Sequence, residues 1–173
     1  MLEAAILVVF PFCMAFAAIS DMLSMTIANR VSVILVVAFA AIAPLTGMEW
    51  SAYGWHFAAG LCVLAVTFTL FAVGGMGGGD AKLIAATAVW FGFGIPLVQY
   101  LVATAFLGGV LTVALLAFRK SPLAVYSSRN VFLRHFADAD VGIPYGVALG
   151  LGGLIVFPAS PLMLWTIERL SAF

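Results

Sequence analysis

The stretch VGGMGGGDAKL, Val73 to Leu83, sets a single carboxylate, Asp80, at the end of a glycine run. Five of its eleven residues are glycine, so it reads as a break between regular segments. What flanks this break decides the fold. Apolar runs lie on both sides, and the 173-residue chain is 65% hydrophobic and only 8% charged, with a mean hydropathy of +1.23. A soluble domain carries about 25% charged residues. This chain lacks the polar side chains to cover a surface facing water. The class that follows is an all-α, polytopic membrane protein. The formal net charge is zero, which gives no basic field for nucleic acid.

A bilayer crossing takes about 20 apolar residues. Six segments are candidates, near 2–20, 31–46, 55–74, 81–93, 95–118 and 144–168, and together they make one transmembrane domain over 1–173. The first lacks a basic stretch ahead of its apolar run, so it reads as a retained helix and not as a cleaved signal. Gly92, Gly94 and Pro96 mark the turn between the fourth and fifth. The fourth segment is short, and charge placement tests it. With six crossings and the N-terminus outside the cytoplasm, Arg30, Lys82, Arg119, Lys120, Arg129 and Arg134 all face the cytoplasm, and only Arg169 lies outside. Lys and Arg favour cytoplasmic loops. Five crossings would split these charges between the two sides. The same topology brings Asp21, Asp80 and the polar loop 119–143 to the cytoplasmic face.

Of the seven carboxylates, Glu3, Glu49 and Glu168 fall at outer ends or loops, where solvation explains them. Asp138 and Asp140 fit a polar loop before Gly142. Asp80 suits a helix N-cap, with its charge at the positive end of the dipole. Asp21 follows an apolar run, at what should be a helix C-terminus, where capping explains a carboxylate less well. Ionisable groups at membrane depth are costly and point to function. Two carboxylates held close cannot both ionise easily. One can then act as base on a water, and the other can protonate the leaving amine. Glycines before Asp80 leave room for a substrate backbone. Two other readings stay open at this level. One is a small ion- or proton-coupled transporter or channel using both aspartates. The other is a non-catalytic assembly subunit, in which they only cap helices. Cys13, Cys62, His56 and His135 show no metal-ligand spacing, so neither metal nor cofactor is expected.

Three segments together resemble the prepilin peptidases, the type IV leader peptidase family of GxGD intramembrane aspartic proteases. Gly77-Gly78-Gly79-Asp80, followed by Ala81-Lys82-Leu83, resembles the GxGD motif. Asp21, Ile27, Asn29 and Arg30 resemble the family's first-aspartate segment, and Ile143-Pro144-Tyr145-Gly146 resembles the element that opens its last helix. The resemblance is strongest to the short, tight-adherence (Flp-type) members. It implies Asp21 and Asp80 as the catalytic pair, with Gly77, Gly79, Asn29, Lys82, Pro144, Tyr145 and Gly146 shaping the site. It also implies a pilin-like precursor as substrate, cleaved at the cytoplasmic face of a bacterial inner membrane, and no cofactor. The cysteine-bearing region linked to methylation in longer members has no counterpart before Asp21, so peptidase activity without methyl transfer is expected.

Overall fold

The computed structural model describes residues 1–121 and 142–171. Among them run α1 (Leu2–Ser24), α2 (Asn29–Ile42) with a 3₁₀ turn at Ala43–Thr46, α3 (Trp50–Ala72), α4 (Gly78–Phe91) and α5 (Ile95–Arg119). Then come α6 (Tyr145–Val156), a second 3₁₀ turn at Phe157–Ala159, and α7 (Pro161–Ser171). The described residues contain no strand. The protein is an all-helical, multi-pass membrane protein.

Helices α1, α2 with its turn, α3 and α5 are each long and apolar enough to cross a membrane, and α6 with α7, bent by 46°, makes a fifth if the pair is counted as one span. The segment expected as one helix over 144–168 is therefore two. The break falls at Pro158 and Pro161, which have no N–H to donate to the preceding turn. The fourth expected segment is present as α4, with 14 residues. At 1.5 Å per residue it is about 21 Å long, short of the roughly 30 Å of a bilayer core. Every residue from Leu83 to Phe91 is buried. A helix apolar on all sides belongs inside a bundle, and α4 is enclosed by its neighbours.

The helices form two groups. In one, α4 lies between α2 and α3. In the other, α6 lies between α1 and α5. The groups meet along a seam where α1 touches α2, while α4 makes lesser contact with α6 and α5. Aromatic side chains fill the centre. Phe10 stacks on Phe157 with ring centroids 4.5 Å apart, and Trp90 packs on both Phe10 and Phe39. The indole N–H of Trp90 donates to the Leu35 carbonyl at 2.9 Å, so its polar atom is satisfied at depth.

Lipid tails are as apolar as leucine, so helix association in a membrane depends on close packing. Helix α6 supplies it with glycine. Gly146, Gly150 and Gly153 press on α1, and Gly152 presses on Thr104 of α5. Successive helices alternate in direction. Lys82 Nζ bonds Asn29 Oδ1 at one end. At the other, Glu3 pairs with Arg169 at 3.0 Å, and His56 Nδ1 meets the Val89 carbonyl at 2.7 Å.

Candidate active site

Helix α1 does not stop before Asp21 but runs one turn past it, to Ser24. It ends at Met25, in the left-handed conformation with φ 52°, and the Met25 N–H closes on the Asp21 carbonyl at 2.8 Å. The Asp21 side chain is buried, and its Oδ2 accepts a hydrogen bond of 2.6 Å from the N–H of Gly146. Gly146 stands in the first turn of α6, where backbone N–H groups have no partner within their own helix. Asp21 thus caps a helix after all. It lies near the C-terminus of its own, yet it faces the positive end of another. A Cβ on Gly146 would fall 2.7 Å from the Asp21 Cβ, so only glycine allows this approach.

The N-cap of α4 is Gly77, not Asp80. Gly78 and Gly79 are already helical, which makes Asp80 the third residue. Its carboxylate turns back toward Gly77, in the manner of the acidic residue of a capping box. The glycines are packed as well as permissive. A Cβ on Gly78 would meet the Phe71 ring at 3.2 Å, and one on Gly79 would meet Ile27 at 3.2 Å. The head of α4 is therefore seated against the end of α3 and against the link between α1 and α2.

Asp21 and Asp80 line one cavity of about 1270 Å³, and the charge of Asp21 bears on Asp80. The cavity follows the seam between α3 and α5. Apolar residues such as Val63, Val66, Leu70 and Leu101 form its sides. Val66 and Leu101 are also exposed, so the cavity opens at the side of the bundle, between α3 and α5.

The other residues singled out in the sequence gather at the same end. Asn29 and Lys82 are joined by a 3.0 Å hydrogen bond on the exposed rim. Pro144 is the buried N-cap residue of α6. Tyr145 lines the cavity with its ring against Gly108 of α5, and its hydroxyl makes no hydrogen bond among the described residues. Arg119, read from the sequence only as an inward-facing charge, also lines the cavity and donates to the Gly142 carbonyl at 3.2 Å. Its place was hidden because the contact joins two ends of a long connection. Asp138, Asp140, His135, Arg129 and Arg134 lie outside the described residues. No cluster of three or more His, Cys, Asp or Glu suited to a metal occurs among the described residues.

A model of the type IV leader peptidase family matches residues 8–117. The chain belongs to that family. The match spans α1 to nearly the end of α5, and with it Asp21, Asn29, Gly77, Gly79, Asp80 and Lys82. Family membership makes the protein a leader-peptide protease, with a pilin precursor as the substrate that the family implies. No curated protein and no solved structure matches the chain. Pro144-Tyr145-Gly146 lies beyond the matched residues and joins the site through the hydrogen bond from Gly146 to Asp21.

Proposed function

We propose that Asp21 and Asp80 are the catalytic pair of an aspartic endopeptidase. In this reading it removes the N-terminal leader of a Flp-type pilin precursor at the cytoplasmic face of a bacterial inner membrane. The observation that carries it is that the two carboxylates line the same laterally open cavity. They come from α1 and α4, on opposite sides of the seam. The reaction is hydrolysis, with no methyl transfer assigned to it. One carboxylate takes a proton from water as the water oxygen attacks the scissile carbonyl. The protonated partner polarises that carbonyl and then gives its proton to the leaving amine as the C–N bond breaks. The pair acts as a unit, so neither role is tied to one residue.

Topology supports the orientation. Arg30, Lys82, Arg119 and Lys120 all lie at the end of the bundle that holds the aspartates, and Arg169 lies at the other. By the preference of basic residues for the cytoplasmic side, the aspartate end faces the cytoplasm and the N-terminus lies outside. The enclosed α4 then counts as a sixth pass. A precursor's apolar helix would approach through the bilayer and lie against α3 and α5. Its leader would stay at the cytoplasmic surface, beside the carboxylates.

The test is co-expression with a Flp-type pilin precursor, with cleavage followed on a gel. Asp21→Asn and Asp80→Asn should each abolish processing while the protein still inserts. Full processing by the Asp80→Asn variant would sink the proposal.

A further inference from the structure

Two buried hydroxyls at the wall of the cavity close no well-formed hydrogen bond among the described residues. Tyr100 and Thr104 stand one turn apart on the same face of α5, at spacing i, i+4. Both border the cavity, yet both are shut in, with Tyr100 0% and Thr104 6% exposed. Tyr100 Oη lies near the hydroxyls of Thr87 and Thr104. Among the described residues, neither Tyr100 Oη nor Thr104 Oγ1 closes a hydrogen bond of good geometry. Thr87 spends its own proton on the Leu83 carbonyl at 2.8 Å. A buried polar atom without a partner is destabilising. Ser32 has the third such hydroxyl but stands away from the cavity, so the two on α5 are set apart by where they lie.

Their depth matters. Thr87 is two turns along α4 from Asp80, roughly 10 Å at 1.5 Å per residue. Tyr100 therefore lies that much further from the cytoplasmic end than the carboxylates, on the side where a substrate's apolar helix would enter. A peptide bond inside a helix is shielded, so a helix must unwind for the dyad to reach it. Unwinding frees main-chain N–H and C=O groups, and in an apolar groove these are costly unless they find partners. A hydroxyl can donate or accept. Helix α5 makes little contact with α4, so a segment entering between α3 and α5 reaches this wall by parting a thin contact.

We infer that Tyr100 and Thr104 form a subsite that hydrogen-bonds the main chain of the substrate's unwound segment, on the mature side of the scissile bond. This rests on the reading of Asp21 and Asp80 as the cleaving pair. It adds to that pair a place where the substrate is held open. At about 3.3 Å per extended residue, the subsite meets the chain roughly three residues beyond the cut.

The test separates binding from cleavage. A fluorescent Flp-type precursor peptide with its leader and apolar helix is titrated into the full-length Asp80→Asn protein in lipid nanodiscs. Tyr100→Phe and Thr104→Val are added singly and together. The double substitution should weaken binding about tenfold. In the Asp80 background, it should raise KM more than it lowers kcat. Each variant should melt at the same temperature as its parent or higher, because an unpartnered hydroxyl has been removed. Unchanged binding overturns the subsite alone, as does a loss of binding that tracks a fall in melting temperature. A precursor that neither binds nor is cleaved overturns the subsite together with the protease reading.

Discussion

The carboxylate of Asp21, near the end of the first helix, accepts a hydrogen bond of 2.6 Å from the N–H of Gly146, at the start of the sixth. The same side chain that is proposed to activate water also satisfies an orphan donor of another helix. Gly146→Ala would drive a methyl group into Asp21. A misplacement of about 1 Å at a reacting group costs roughly 100-fold in rate. The expected result is a loss of that order in kcat/KM with the protein still inserted, read from precursor cleavage against immunoblotted membrane protein.

The aspartates should fail together. Groups that act as a unit show strongly non-additive losses. Asp21→Asn and Asp80→Asn should each reduce cleavage by about 10²–10⁴-fold. The double variant should be no slower than either single one. A double variant whose loss equals the product of the single losses would mean that the two act independently.

The pairing of Asn29 with Lys82 predicts little. It is a hydrogen bond on the exposed rim, where water competes for both groups and the net contribution is about 0.5–1.5 kcal/mol at most. Asn29→Ala and Lys82→Met should each cost no more than about 1.5 kcal/mol in stability, measured by thermal unfolding in detergent. Cleavage should fall by less than tenfold.

Much of this was legible in the sequence, and the failures share a cause. The apolar segments are visible because membrane helices announce themselves by length. The turn at Gly92, Gly94 and Pro96 is visible because its residues have special backbone needs. Asp80 was misread by three positions. Glycine is a poor helix former, so Gly78 and Gly79 read as turn, yet both lie inside α4 because Phe71 and Ile27 pack where side chains would be. The cap that Asp21 provides could not be read at all, since Gly146 is far along the chain and no local pattern links them. The same holds for Tyr100 and Thr104, whose place beside the aspartates no local pattern shows. The bend at Ser160 was announced by Pro158 and Pro161 and went unread, because the apolar run across them is continuous.

The open side of the cavity gives a further prediction. Val66 is 63% exposed and lines the cavity from α3. Val66→Trp should fill the groove without disturbing the core, raising KM by about tenfold, since filling a pocket is worth on the order of 1–3 kcal/mol. The measurement is a KM and kcat pair for precursor cleavage. A Trp variant with unchanged KM would show that substrate does not pass between α3 and α5.

The seam between the two helix groups has a mechanical meaning. Asp21 is pinned to α6 on one side, and Asp80 is pinned to the head of its own α4 on the other. Each carboxylate is held within its own group. The gap between the carboxylates is therefore a coordinate of the whole bundle and not of any rotamer. In the proposed reading, a helix wedged along the seam would act on it as on a pair of jaws, and the arrival of substrate would set the spacing of the two carboxylates.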